Sequence, residues 1–96
     1  MQLSNKVVVV TGGGRGLGRA YCEAMAKDGA SVVAADIRDT NATVDTVTSA
    51  GGQAIGLHLD VTDMESCQAM ADAAVATFGR IDCLVNNAAL YGDIDG

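Results

Sequence analysis

The segment Gly12-Gly13-Gly14-Arg15-Gly16-Leu17-Gly18 joins the apolar run Val7-Val8-Val9-Val10, closed by Thr11, to a stretch with helical periodicity. The valine run does not alternate with polar residues, so it reads as a strand buried on both faces, and such strands belong mainly to parallel sheets covered by helices. A glycine turn between such a strand and a helix lets the backbone reach positive φ. It also lets a ligand approach with no Cβ in the way. The helix that follows offers unpaired N–H groups and the positive end of its dipole. That geometry favours an anion, and a nucleotide phosphate is the anion that a strand-turn-helix unit of this kind accepts.

The remaining composition narrows the partners. The 96 residues suffice for one small domain, and 49% hydrophobic with 19% charged content is ordinary for a folded globule. Six Lys and Arg against twelve Asp and Glu, a net charge of -6, argue against a nucleic-acid surface or an anionic membrane. A small ligand is the better partner. No apolar run approaches the ~20 residues of a spanning helix, and Met1-Gln2-Leu3-Ser4-Asn5-Lys6 lacks a signal-peptide pattern, which gives a cytoplasmic expectation. Cys22, Cys67 and Cys83 fit neither a metal pair nor a disulfide framework and are expected to be reduced core thiols.

Strands are predicted at Lys6 to Thr11, Ser31 to Asp36, Gln53 to Asp60 and Asp82 to Asn87, with helices between them, in the order β-α-β-α-β-α-β. The first helix, Gly16 to Asp28, would turn Leu17, Tyr21, Ala24 and Met25 toward the sheet, with Gly29 as its stop. The second, Thr40 to Ala50, is rich in strand-favouring Thr and Val, although Gly51-Gly52 supplies a stop and a parallel crossover needs a helix. In the third, Thr62 and Glu65 read as a capping box. Met64, Cys67, Met70, Ala71, Ala74, Val75 and Phe78 recur at helical spacing before Gly79. His58 and the helix methionines read as structural. Thr11, Asp36, Asp60 and Asn86 close the strands at intervals of 25, 24 and 26 positions. Each interval holds one strand and one crossover, so these polar groups gather with the glycine turn along one sheet edge, where open α/β sheets bind ligands.

The turn is not a P-loop, because Gly13 to Gly18 is followed by Arg19-Ala20 instead of Lys-Ser/Thr. The G-x-G-x-x-G/A dinucleotide fingerprint also fails, since its last position falls on Leu17 or Arg19. T-G-x-x-x-G-x-G, from Thr11 to Gly18, does fit. With Asp36-Ile37, Asp60-Val61 and Gly79-x-x-Asp82-x-Leu84-Val85-Asn86-Asn87-Ala88 at their spacings, the chain resembles the short-chain dehydrogenase/reductase family over nearly its whole length.

The resemblance implies a Rossmann-type doubly wound parallel sheet of order 3-2-1-4, ending after the fourth strand, so that residues 1–96 form part of a dinucleotide-binding domain. It implies that Gly12 permits the turn, that Gly16 and Leu17 present backbone to the pyrophosphate, with Gly14 and Arg15 also among the cofactor-binding residues, and that Gly18 allows close helix-sheet packing. Asp36 would take the adenosine-ribose hydroxyls, which favours NAD over NADP, although Arg15 and Arg38 could pair a 2′-phosphate. Asp60 would accept from the adenine amino group beside Val61, and Asn87-Ala88 would run along the ribose, with Asn86 bracing the sheet. Read without the family, Asp36 could be a solvated loop acid, Asp60 a helix cap and the two asparagines turn formers. Ala89 stands where the family usually has glycine.

Family members use a tyrosine with a lysine four positions later, yet Tyr21 and Tyr91 are followed at that spacing by Met25 and Asp95. The expected role is therefore the cofactor-binding half of an NAD-dependent oxidoreductase acting on a small-molecule alcohol or ketone, homo-oligomeric when full length and inactive as this piece. A stand-alone nucleotide-binding or interaction module without turnover is the alternative. The fourth strand, central in the family's sheet, is expected to present an apolar edge here.

Overall fold

The computed structural model describes residues 3–87. Ala88, Ala89 and Tyr91, singled out above, lie outside the described residues. The elements run β1 (Val7–Thr11), α1 (Gly16–Lys27), β2 (Ser31–Asp36), α2 (Asn41–Ser49), β3 (Gln53–His58), α3 (Met64–Phe78) and β4 (Cys83–Asn86). All pairings are parallel and the sheet order is β3-β2-β1-β4, as expected.

Valine density makes β1 and β2 the centre of the sheet, because β-branched side chains pack well on both pleated faces. One face carries Val7, Val9, Val33, Ala35 and Leu59 under Met70 and Ala74 of α3. The other carries Val8, Val10, Val32 and Ala34 under Cys22 of α1 and Val47 of α2. Leu59 continues the pairing beyond β3 by donating to the Asp36 carbonyl at 3.0 Å, which leaves Asp60 two residues past the strand instead of closing it. No helix among the described residues is long and apolar enough to cross a membrane.

The helices depart from the sequence pattern in instructive places. In α1 the inward residues are Gly18 and Cys22, flanked by Tyr21 and Met25, while Leu17 at 49% and Ala24 stand exposed. The helix meets the sheet through its smallest residue, which rotates the buried stripe by about one position. In α3 the cap is Asp63, not Thr62: the Asp63 side chain accepts from Glu65 N at 3.0 Å. Thr62 instead gives both its N–H and its hydroxyl to Asp60. Gly79 does end α3, at φ 87°. Met64, the first helical residue, is 88% exposed and Val75 is half exposed, so neither is core filler. α2 forms despite its Thr content because Thr43 and Val47, one turn apart, both turn inward.

The thiols also divide. Cys22 is buried, and loss of solvation pushes its thiol up to about 12, so it is inert as a nucleophile. Cys67 is half-buried. Cys83 is exposed, which corrects the expectation of three core thiols. It lies beside Leu84, 57% exposed, on the edge strand β4, where the sheet has an apolar face uncovered by the described residues. His58, at the end of β3, is exposed.

Asp82 fastens the start of β1 to the approach to β4. Its Oδ2 accepts from Val7 N at 2.8 Å, its own N–H donates to the Val7 carbonyl at 2.9 Å, and Arg80 Nη2 lies 2.6 Å from Oδ1. The Val7 amide, reinforced by Arg80 and Lys6, holds the Asp82 carboxyl below its ordinary value of 3.8. A carboxyl depressed in the fold stabilises the fold above its ordinary value, and that contribution is lost as pH falls through the folded value. Asp82→Asn should therefore melt below the wild type at neutral pH, with the gap closing as pH drops below about 4. A gap that stays constant from pH 7 to pH 2.5 in thermal melts would refute this role.

Candidate functional site

The carboxyl ends of the four strands place the glycine loop, Asp36, the Asp60 turn and Asn87 along one edge. At the loop's start, Gly12 N and Gly13 N both donate to the Ala35 carbonyl, at 2.8 and 3.3 Å, and Gly12 takes φ 69°. A side chain is disfavoured in that left-handed conformation, which explains why the turn opens on glycine. Gly14 N then donates to Asp36 Oδ2 at 2.9 Å, and Thr43 Oγ1 donates to the Gly13 carbonyl at 2.8 Å. A Cβ on Gly14 would lie 2.8 Å from both Asp36 Oδ2 and the Asp39 carbonyl, so the loop rests directly on the end of β2.

Past the loop, Arg15 caps α1 in an extended conformation and gives no side-chain cap bond, and the first turn holds no acid. The first helical bond is Arg19 N to the Arg15 carbonyl at 3.2 Å. The amides of Gly16, Leu17 and Gly18 thus face the helix end without an intrahelical acceptor, beside the exposed Arg15 guanidinium. Gly18 is packed so tightly that a Cβ there would collide with the Gly12 carbonyl oxygen and lie 2.9 Å from Asn87 Nδ2. Asn87 is buried, only 2% exposed, and its Nδ2 has no hydrogen-bond partner among the described residues. A buried amide left without a partner costs about 1–3 kcal/mol, so a ligand acceptor at this point would relieve a real penalty. Sequence reasoning gave Asn87 only its backbone; the side chain becomes visible as a candidate only through its burial.

Asp36 keeps acceptor capacity. Oδ2 takes Gly14 N and Oδ1 takes Arg38 N at 3.1 Å, one bond to each oxygen, and an ionised carboxylate can accept about four. Ile37, next in the chain, at 59% and Val61, next to Asp60, at 43% both expose apolar surface. Asp60 is differently used. Its Oδ1 accepts from Thr62 Oγ1 at 2.6 Å and Thr62 N at 2.9 Å, and these bonds, the hydroxyl's first, hold the carboxyl below its ordinary value. Thr62 is thus engaged by Asp60 and does not cap α3, and both of these bonds fall on Oδ1 of Asp60. Thr11 Oγ1 reaches the Val85 carbonyl and Asn86 Oδ1, each at 3.2 Å, tying β1 to β4.

An open parallel sheet with a glycine loop leading into an uncapped helix terminus and an acid on the adjoining strand is the Rossmann arrangement for holding a dinucleotide. The chain belongs to the short chain dehydrogenase family, whose pattern it matches over residues 6–95. It is 50% identical over 90 residues to an uncharacterised oxidoreductase of Mycobacterium tuberculosis, covering 92% of this chain and 36% of that one. Galactitol 2-dehydrogenase of Agrobacterium fabrum is 43% identical over 91 residues, covering 95% and 35%. Among solved structures, a 7α-hydroxysteroid dehydrogenase complexed with NADH and 7-oxo glycochenodeoxycholic acid superposes with a TM-score of 0.85. It is 38% identical over 88% of this chain and 34% of that one. The chain spans about a third of the length of these relatives.

Proposed function

We propose that this chain is the dinucleotide-binding part of an NAD-dependent oxidoreductase, cytoplasmic and homo-oligomeric at full length, that acts on a small-molecule alcohol or ketone. The observation that carries this reading is the 2.9 Å contact between Gly14 N and Asp36 Oδ2, which sets an acid at the end of β2 directly against the glycine loop. The Asn87 Nδ2, without a partner among the described residues, and the α1 terminus, without a side-chain cap, fit the rest of such a molecule. When bound, nicotinamide would accept or donate a hydride at the alcohol or ketone carbon. The chain's own groups would do the holding. Gly14, Arg15, Gly16 and Leu17 would face the pyrophosphate, with Gly18 drawing the helix in. Asp36 would take the ribose hydroxyls, Ile37 and Val61 would flank the adenine beside Asp60, and Asn87-Ala88 would run toward the second ribose.

The sequence has no tyrosine followed at four positions by lysine, so binding without turnover is the expected behaviour of this piece. Calorimetric titration should show saturable NADH binding, weaker NADPH binding and no alcohol-dependent NAD reduction. Absence of saturable NADH binding to the folded chain would overturn the proposal. Turnover by the 96 residues would overturn the division of labour.

A further inference from the structure

Helices α2 and α3 contain four threonines, and three of them, half-buried or exposed, behave as helical threonines do. Thr46, Thr48 and Thr77 each return the hydroxyl to the carbonyl four residues back, at 2.9 Å in every case. Thr43 does not. It is 0% exposed, and its Oγ1 leaves the helix to donate at 2.8 Å to the carbonyl of Gly13, thirty positions earlier in the chain.

The Gly13 carbonyl and the Gly14 N–H belong to one planar peptide unit. Its oxygen end is held by Thr43 and its N–H end by Asp36 Oδ2 at 2.9 Å. Glycines on both sides of that unit leave nothing but these two bonds and the packing on β2 to resist its rotation. A Cβ on Gly13 would press within 3.0 Å of Ala34 Cα, so the unit lies flat on the neighbouring strand.

We infer that Thr43 is a positioning residue for cofactor selection. By fixing the Gly13–Gly14 peptide it aims the Gly14 N–H at Asp36 and so sets the carboxylate's orientation toward the ribose. The inference rests on the dinucleotide reading above and extends it to α2, whose threonine-rich sequence otherwise argues against a helix. Without the hydroxyl, the buried Gly13 carbonyl has no donor. The peptide can then rotate, and Asp36 loses the amide that orders Oδ2.

The test uses Thr43→Val, which keeps the shape, Thr43→Ala, which favours the helix should the valine form not fold, and Thr43→Ser, which keeps the hydroxyl. An Asp36 carboxylate that has lost its orienting amide gives up about one hydrogen bond's worth of ligand binding, about tenfold. NADH affinity by calorimetry should therefore drop about tenfold in the valine and alanine forms, the NADH-to-NADPH affinity ratio should shrink, and serine should restore both. Val47→Ala, a cavity one turn along α2, should lower the melting temperature and leave that ratio unchanged.

A second readout needs no ligand. In the free chain the Gly14 amide proton, bonded to a carboxylate, should resonate downfield in the 1H–15N spectrum and move upfield in Thr43→Val or Thr43→Ala but not in Thr43→Ser. Failure of the wild type to bind NADH would sink the functional proposal, and the Gly14 resonance would still judge Thr43. A folded valine or alanine form with an unmoved Gly14 resonance, or with wild-type affinities for both nucleotides, would overturn this inference.

Discussion

Gly18→Ala should lower the melting temperature by about 4–24 °C and remove dinucleotide binding. Helix propensity alone points the other way, since alanine is favoured over glycine inside a helix by about 1 kcal/mol. Contact decides the sign. The new methyl would overlap the Gly12 carbonyl oxygen and sit 2.7 Å from its carbon, closer than real Cβ atoms come. Neither partner can step aside cheaply: Gly12 and Gly13 are pinned through their amides to Ala35, and α1 is packed on the sheet through Cys22. Overpacking of this kind costs about 1–3 kcal/mol or more, and each kcal/mol moves the midpoint of a domain this size by about 4–8 °C. Leu17→Ala, one residue away at a half-exposed position, should move the midpoint by no more than about 0.5 kcal/mol's worth. Equal melting temperatures for Gly18→Ala and the wild type would show that the loop is not packed as described.

The same contact explains which parts of the fold could be read from residues. The valine runs, glycine stops and polar strand ends carry periodicity and spacing, and they located the seven elements; the sheet order came from the family resemblance. What sequence could not supply was the rotation of α1. A glycine at the point of closest approach turns Cys22 inward and leaves Leu17 in solvent, against the hydrophobic pattern. The Thr62 capping box failed for a related reason. Asp63 and Thr62 are both good caps, and the choice between them was made by Asp60, which accepts both Thr62 donors and leaves Asp63 to serve the helix. At the site, glycine spacing and Asp36 were visible in one dimension. The hydroxyl of Thr43 and the unpaired Asn87 amide depend on burial and on contacts across 30 and more positions, which no local pattern encodes.

Asp36→Ala should reverse the order of nucleotide affinities. In the wild type the carboxylate would gain about 1.5–3 kcal/mol from each charge-assisted bond to a ribose hydroxyl, while a 2′-phosphate in the same place would meet a like charge. Losing one such bond alone weakens NADH by about tenfold to a hundredfold. Removing the carboxylate also leaves Gly14 N and Arg38 N without their acceptors, but that disturbance falls on both nucleotides, so the ratio of affinities isolates the ribose contact. NADPH gains from a second source. Arg15 and Arg38 are both exposed, one at the mouth of α1 and the other two residues past β2, and with the repelling Asp36 charge gone their guanidiniums are the cations nearest in sequence to pair a 2′-phosphate. The NADH-to-NADPH affinity ratio should fall by about a hundredfold in Asp36→Ala. Adding Arg15→Ala and Arg38→Ala should abolish the NADPH gain without restoring NADH. An unchanged ratio in parallel titrations would mean that Asp36 serves the loop and not the ligand. Its bond to Gly14 would then be the whole of its function.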